Sequence, residues 1–308
     1  MKDRNRKKTR QNSYQVQLWL MALPCLLLVL VFSYVPMGGI ILAFKDYSFS
    51  DGIFNSPWIG FDNFQFFFRS GVAWTLIFNT VFLNFLFIVS VTMLSLFVAL
   101  LLNEIFKLRI AKLFQSVLFF PHFISWIIVG YFSYSFLNAD NGFLNVLIGY
   151  LGMEPVNWYA SPEYWPAIMT IISIWKGLGY FSIIYLAGMV AINPELYEAA
   201  RLDGGTKIDE MFRITIPLTV PLIYINLFFA LGRVFYANFD FFNNVVKNNG
   251  MIMSTTDVID TYVMRSILVT GDFNMAAAVG LFQGVCGFIL IVLTNWLVRK
   301  IDNDNALF

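Results

Sequence analysis

Three side chains inside the long apolar stretches of this chain could act as an acid, a base or a metal ligand: His122, Lys176 and Arg233. Catalysis in an apolar environment requires ionisable groups placed to work together. Neither Lys176 nor Arg233 has a carboxylate one helical turn away, and Asp240 lies too far beyond Arg233 for a direct local pair. His122 has no nearby Cys, Asp or Glu to complete a metal site, so we interpret it as a packing or pore-facing residue. This spacing argues against an enzyme and against a bound metal.

The sequence also lacks the loop that would let the chain bind and hydrolyse ATP. The pattern G-x-x-x-x-G-K-[ST] does not occur, and "GGTK" at residues 204 to 207 has no preceding glycine-rich loop. Cys25 and Cys286 lie in separate apolar runs, so they predict neither a disulfide framework nor a redox motif. We therefore expect no catalytic residue and no cofactor in this chain.

The longest organised polar stretch is "YEAARLDGGTKIDEMFRITIPLTVP", residues 197 to 221. Its first half predicts a short helix with Asn193 at the N-cap and Pro194 at the first helical position. Gly204 or Gly205 would end that helix. About ten residues form a rod roughly 15 Å long.

A second short helix is predicted after the glycines. Thr206 would cap it through Asp209 or Glu210, a spacing close to that of a capping box, before Pro217 opens the next apolar segment. From the residues alone, the two helices fit either an ordinary well-capped connector or a docking element for another protein.

Composition identifies what surrounds this polar stretch. Hydrophobic residues make up 58% of the 308 residues and charged residues only 13%, with a mean hydropathy of +0.69, which is typical of an integral membrane protein. Backbone groups in lipid must be paired within their own segment, so apolar runs of spanning length are interpreted as helices. Six such runs cover residues 18 to 44, 74 to 102, 113 to 137, 165 to 192, 214 to 235 and 274 to 298.

The basic residues predict the orientation of these spans. With the amino terminus inside, the inner segments carry fourteen basic residues and the outer segments four, which places both termini and the polar stretch in the cytoplasm. The basic run at residues 1 to 17 could also be a signal-peptide n-region, but the apolar run after it is long and has no small-residue cleavage site. A nucleic-acid-binding tail is the remaining, weaker alternative.

The polar stretch resembles the cytoplasmic signature of binding-protein-dependent ABC importer permeases: Glu-Ala-Ala, three residues, Gly, nine residues, Ile, any residue, Leu-Pro. Ile216 stands where that family usually has Leu. The resemblance implies that residues 193 to 217 form a coupling helix that docks into a separate ATPase subunit. The residues it assigns to ATPase coupling are Glu198, Ala199, Ala200, Asp203, Gly204, Ile214 and Pro217.

Three further stretches narrow the resemblance to permeases that import complex or polysaccharide-derived oligosaccharides: "LPCLLLVLVFSYVPMGGIILAFKDY", "SPWIGFDNF" and "DVIDTYVMRSILVTGDFNMAAAVGLFQ". The implied fold is all-α and polytopic, with a basic cytoplasmic segment at residues 1 to 17, a transmembrane domain at residues 18 to 308, and the coupling helix between helices 4 and 5. The implied partners are a second homologous permease chain, two ATPase subunits carrying ATP and Mg, and an extracytoplasmic solute-binding lipoprotein. The implied location is the plasma membrane of a bacterium, Gram-positive by this resemblance, with no nucleic-acid partner.

Spans four and five supply candidates for the substrate pathway, because sugar sites commonly combine an aromatic face with hydrogen-bonding groups. Aromatic residues in spans also serve as packing or interfacial belt residues, which is the competing interpretation. A passive channel or secondary transporter without ATPase partners is the alternative function. The pathway candidates are Trp175, Tyr180, Asn226, Arg233, Tyr236 and Asn238.

The charge distribution predicts that Asn12 and Asp302 are cytoplasmic and that Asn55 and Asn248 are external. Cysteine placed at each position and labelled in intact cells with a membrane-impermeant thiol reagent should react only at positions 55 and 248. Labelling at 12 or 302 but not at 55 would show that the orientation is the reverse of the predicted one, and the polar stretch would then not lie on the cytoplasmic side.

Overall fold

The computed structural model describes residues 2 to 105 and 109 to 301, which are almost entirely helical. Strand-type pairing in this part of the chain is limited to one antiparallel bridge between Lys45 and Trp58, so the all-α prediction is confirmed. The α-helices are α1 Lys2–Val29, α2 Gly52–Asn55, α3 Asp62–Arg69, α4 Val72–Glu104, α5 Arg109–Phe119, α6 Trp126–Leu137, α7 Phe143–Tyr150, α8 Trp165–Val190, α9 Pro194–Leu202, α10 Lys207–Glu210, α11 Ile216–Gly232, α12 Phe239–Val246, α13 Met253–Thr256, α14 Ile259–Arg265 and α15 Phe273–Ile301.

Five segments are long and apolar enough to cross a membrane as continuous helices, and a bent helix pair supplies the sixth crossing. They correspond to the six apolar runs of the sequence, so that prediction is confirmed for the described residues. The continuous segments are Gln17–Phe44, Val72–Glu104, Pro162–Val190, Lys207–Gly232 and Phe273–Lys300.

The third span is not the continuous helix that its apolar run predicts. It consists of Ile110–Phe123 and Trp126–Leu137, which meet at an angle of 96°. Pro121 lies in the turn that ends the first arm, and a proline lacks the N–H that a continuing helix would need. Ser125 then caps the second arm, because its side chain accepts a hydrogen bond from the Ile128 N–H. The single-helix prediction for residues 113 to 137 is therefore wrong at this point.

Lys176 of α8 stabilises the break in the third span. Its ammonium group donates hydrogen bonds to the carbonyls of Pro121 (3.2 Å), His122 (3.1 Å) and Ile124. The same group lies 4.8 Å from the centre of the Trp126 ring. Carbonyls at a helix C-terminus have no partner within the helix and carry partial negative charge, so a cation is favourable there. Lys176 thus satisfies the His122 and Ile124 carbonyls, which the break leaves free, and is a second donor to the Pro121 carbonyl, which also accepts the Ile124 N–H.

The helices that hold this arrangement pack around α4 and α8. Leu83 and Phe87 of α4 share a buried cluster with Val129 of α6 and Met169 of α8. A side chain at Gly179 could not be accommodated, since a Cβ there would lie 2.0 Å from the Leu118 carbonyl oxygen. Helices in membranes approach closely at such small residues, and this contact brings α8 and Lys176 against the broken span.

The first span is the least embedded part of the described chain. Residues 17 to 38 are exposed wherever their side chains are described, and the contacts of this span are made mainly by its last part, Val35–Phe44, against α15. This helix therefore offers an apolar face that the chain itself does not cover.

Replacing Lys176 with Met should allow the angle between the two arms of the third span to vary, because the His122 and Ile124 carbonyls lose their donor at a cost of about 1–3 kcal/mol. Spin labels on Leu113→Cys and Phe136→Cys report the distance between the two arms by pulsed electron resonance. We expect a broader distance distribution in Lys176→Met and no change in Lys112→Met, which alters an exposed lysine on α5. An unchanged distribution in Lys176→Met would show that the lysine does not hold the angle.

Candidate functional sites: the polar loop and the helix breaks

The first half of the polar stretch forms α9, and its ends are capped as the sequence predicts. The Asn193 side chain accepts a hydrogen bond from the Glu195 N–H at 3.1 Å, with Pro194 at the first helical position. At the other end Gly204 has φ +81°, which a residue with a side chain rarely adopts. The N–H of Gly204 donates to the carbonyl of Arg201 at 3.1 Å.

The turn after α9 is compact. The Gly205 N–H donates to the Ala200 carbonyl at 2.8 Å, which together with the Gly204 bond makes a Schellman motif. A Cβ on Gly205 would approach that carbonyl oxygen to 2.8 Å. Both glycines are therefore required by the geometry, one for its left-handed backbone and one for the close approach.

The second half of the stretch begins with the predicted cap but does not form a separate short helix. The Asp209 N–H donates to the Thr206 hydroxyl at 3.3 Å, and the Thr206 N–H donates to the Asp209 carboxylate at 3.0 Å, a reciprocal capping box. From α10 the helix continues through a single π-helical turn, Met211–Thr215, into α11. The prediction of a separate second helix is wrong, because residues 207 to 232 form one helical segment that joins the polar loop to the fifth span.

The sequence-predicted coupling residues lie along this loop. Glu198 and Ala199 are exposed on α9, Ala200 is half-buried, and Asp203 is the exposed C-cap. Ile214 is half-buried in the π-helical turn, and Pro217 lies exposed in the first turn of α11.

Large apolar side chains are exposed beside these polar residues. Leu202 is 89% exposed, and Ile208, Phe212 and Leu196 are also exposed. Exposed apolar patches mark sites of contact with another protein or with the membrane. The loop therefore has the composition of a docking surface as well as that of a connector.

The fifth span is also interrupted, between α11 and α12. Helix α11 stops at Gly232, and α12 begins only at Phe239. The Asn84 amide donates to the carbonyls of Val234 (2.9 Å) and Tyr236 (3.4 Å). These bonds satisfy carbonyls that the interrupted helix would otherwise leave unpaired.

Two further polar residues, Gln283 and Asp260, bond to the backbone at this second break. The Gln283 amide of α15 donates to the Phe235 carbonyl at 2.6 Å, and the Asp260 carboxylate accepts the Ala237 N–H at 2.7 Å. Gln283 also donates to Asp260 at 3.0 Å. Asn84, Gln283 and Asp260 are not among the site residues predicted from the sequence. Asn84 and Gln283 could have been singled out from the sequence, because each is an amide side chain within an apolar run of spanning length.

The two breaks lie next to one another. The Trp126 ring, which follows the break in the third span, stacks on Phe241 of α12 with ring centres 4.4 Å apart. One turn further on, a Cβ on Gly130 would lie 2.4 Å from the Asn244 carbonyl oxygen. Helices α6 and α12 are thus packed together, and Lys176 and Asn84 satisfy the two interruptions from the unbroken helices α8 and α4.

Three of the predicted pathway residues lie at the second break. Arg233 is the exposed C-cap of α11, and its guanidinium makes no hydrogen bond or ion pair with any residue that the structure describes. The Tyr236 ring lies against Gly287 of α15, whose added Cβ would meet it at 3.1 Å. Asn238 caps α12, since its side chain accepts the Phe241 N–H at 3.1 Å.

The other three pathway candidates are distributed along α8 and α11. The Asn226 amide donates to the Leu222 carbonyl of its own helix at 2.8 Å. Tyr180 stacks on His122 at 4.6 Å, beside the first break. Trp175 lines a cavity of about 620 Å³ whose walls are almost entirely apolar. The structure does not bring all six candidates into one site.

The histidine and the acidic residues do not assemble a metal site in the described part of the chain, where no group of three or more His, Cys, Asp or Glu side chains is close enough to hold an ion.

Comparisons with known proteins agree on one family. The profile of the family described as "binding-protein-dependent transport system inner membrane component" matches residues 91–303. Protein LplB of Bacillus subtilis (strain 168) is 35% identical over 287 residues, which cover 93% of this chain and 90% of LplB. The polygalacturonan/rhamnogalacturonan transport system permease protein YteP of the same strain is 34% identical over 94% of this chain and 90% of its own length.

A solved structure matches the whole fold. The crystal structure of a bacterial alginate ABC transporter in complex with an alginate pentasaccharide-bound periplasmic protein contains a chain with a TM-score of 0.86 and 32% sequence identity. The match covers 95% of this chain and 97% of that chain.

Proposed function

The chain belongs to the family of binding-protein-dependent transport system inner membrane components, and on that premise we propose that it is the oligosaccharide permease subunit of an ATP-driven importer. Family membership confirms the resemblance drawn from the polar stretch and from the three apolar stretches. The chain would form half of the translocation pathway in a multi-pass membrane complex. ATP and Mg would be bound and used by partner subunits.

The observation that carries this proposal is the polar loop between the fourth and fifth spans. It is capped at Asn193, closed by a Schellman motif at Gly204, and exposes Leu202 and Ile208 beside Glu198. A simple connector has no need of large exposed apolar side chains, whereas a helix that docks into a cleft does. We assign the loop at residues 193 to 217 to ATPase coupling, with Glu198, Ala199, Ala200, Asp203, Gly204, Ile214 and Pro217 as its coupling residues.

A second permease chain is the partner proposed within the membrane. Residues 17 to 38 form an apolar helical surface that the described part of this chain does not cover. Arg233, whose guanidinium has no hydrogen bond or ion pair among the described residues, lies at a helix break. An intramembrane charge of this kind faces a bundle interior or a water-filled cavity, and a pathway between two permease chains provides one. The transmembrane domain is accordingly assigned to residues 18 to 308, and residues 1 to 17 to a basic cytoplasmic segment.

The proposed substrate class is oligosaccharides released from polysaccharides. YteP is named for polygalacturonan and rhamnogalacturonan, and the matching solved transporter carries alginate. That transporter is in complex with a loaded periplasmic protein, and we propose a solute-binding lipoprotein in the same role here. The two Bacillus relatives support a Gram-positive plasma membrane as the location.

Transport would follow from two states of the paired permeases, one open inward and one open outward. A ligand shifts such an equilibrium only by its difference in affinity for the two states. ATP on the ATPase subunits and the loaded binding protein outside would each favour the outward-facing state. The chain's own part is to connect the docked loop to the spans that line the pathway.

Enlarging the docking face should detach the ATPase while leaving the spans inserted. We expect Ala200→Trp and Gly204→Val to reduce co-purification of the ATPase, the second because valine is strained at φ +81°. Glu198→Ala should be milder, since an exposed charged contact is worth about 0–1 kcal/mol.

The matched control is Gly149→Val, at an exposed glycine where an added Cβ meets nothing within 4 Å. Normal ATPase retention and normal binding-protein-stimulated ATP hydrolysis in both loop variants would show that the loop is only a connector.

Removing the polar pathway residues should lower uptake without dissociating the complex. We expect Arg233→Ala and Asn226→Ala to retain the ATPase and ATP hydrolysis but to import less sugar, with Arg233 the more affected because its charge has no described partner. Sugar uptake and hydrolysis are measured on the same nanodisc or vesicle preparations. Variants that fail to assemble would give these residues a structural role and remove them from the pathway.

A further inference from the structure

Glu210 is a buried carboxylate at the centre of an ion-pair network in the polar loop. Its side chain is only 4% exposed, although it lies in the most polar part of the chain. Burying a charge is unfavourable unless opposite charges and hydrogen bonds accompany it. Glu210 has such partners on two different helices.

Arg201 of α9 is the first partner. Its Nε donates to Oε1 of Glu210 at 2.6 Å, and one terminal nitrogen donates to Oε2 at 3.2 Å. This bidentate contact fixes the relative orientation of the guanidinium and the carboxylate as well as their distance. The hydrogen bond to Glu210 also raises the pKa of the Arg201 guanidinium above its ordinary value.

Lys207 extends the network to another span. Its ammonium lies 3.1 Å from Oε2 of Glu210 and 3.3 Å from Oε2 of Glu104. Glu104 is the last residue of α4. A further contact joins α9 to the helical segment that follows α10, because the Tyr197 hydroxyl of α9 lies 3.0 Å from the hydroxyl of Thr215, the last residue of the π-helical turn. The network therefore joins α9, α10 and the end of the second span.

This arrangement has a mechanical consequence. Helices α9 and α10 are separated by the Gly204–Gly205 turn, which two backbone hydrogen bonds hold locally but in which glycine restricts the backbone least. The two hydrogen bonds between Arg201 and Glu210 link α9 to α10 across that turn. From α10 the helix runs on to Gly232, where the break of the fifth span begins, so a displacement of α10 is carried along a rod to the pathway.

We propose that Glu210 is a positioning residue for coupling: it makes α9 and α10 one rigid unit, so that motion of the docked ATPase reaches the fifth span instead of being absorbed in the glycine turn. The proposal rests on the proposed function. It concerns Arg201 and Glu210, which are not among the seven coupling residues assigned above.

The first test measures rigidity directly in the assembled complex. Spin labels are placed on Glu195→Cys in α9 and Leu218→Cys in α11, with Cys25 and Cys286 replaced by Ser. We expect one narrow distance distribution in the parent protein and a broad one in Glu210→Gln. The control is Arg213→Gln, which removes the exposed Arg213–Asp209 pair and should leave the distribution narrow. Equal, narrow distributions in all three would overturn the proposal.

The second test uses the coupling ratio, the sugar imported per ATP hydrolysed. Arg201→Glu and Glu210→Arg should each lower this ratio about tenfold while retaining co-purified ATPase, and the double exchange should restore most of it, as expected for directly coupled residues. Failure of the double exchange to improve on either single variant would contradict a positioning role.

The two proposals fail in distinguishable ways. Absence of the ATPase from the parent complex would count against the proposed function, and the spin-label distances would still decide whether Glu210 holds the two helices together.

Discussion

The whole structure depends on one constraint: a backbone N–H or carbonyl within the membrane must find a hydrogen-bond partner in the protein. Six apolar runs become helices because a helix satisfies this constraint within itself. The constraint is most informative where helices stop. At the third span Lys176 supplies the missing donors. At the fifth span Asn84 and Gln283 donate to free carbonyls, and the Asp260 carboxylate accepts the Ala237 N–H. Isolated polar residues in this chain are therefore explained first by the backbone they satisfy.

Residues whose polar groups bond to the backbone at the breaks differ from residues whose polar groups remain available to a substrate. The Lys176 ammonium donates to three carbonyls and lies over the Trp126 ring, so its hydrogen-bonding capacity is already used within the protein. Arg233 has no partner among the described residues, although it lies at the adjoining break. The same contrast applies to Asn84, whose amide bonds to two carbonyls, and Asn226, whose amide bonds only to its own helix. Substrate contact is expected from the groups left free.

Much of this architecture could be predicted from the sequence because it depends on local rules. Hydropathy locates the spans, and the caps at Asn193, Thr206 and Gly204 follow from residue types that favour those backbone positions. The 96° bend could not be predicted, because a proline such as Pro24 also occurs inside a continuous helix of this chain. What distinguishes Pro121 is the lysine that reaches it from α8, and such long-range pairing is not visible in the order of residues. The Arg201–Glu210 ion pair could not be predicted for the same reason.

Coupling in this account is a property of connected rigid parts. The polar loop is closed by Glu210, continues as one helix through residues 207 to 232, and ends at a break whose carbonyls are satisfied from α4 and α15. The central claim, that this chain couples sugar passage to ATP use on partner subunits, is tested most directly in proteoliposomes. The permease would be reconstituted with its partner permease, its ATPase and the loaded binding protein. We predict accumulation of the oligosaccharide only when ATP and the binding protein are both present. Equal uptake without ATP, down the sugar gradient, would contradict the account and indicate a passive channel.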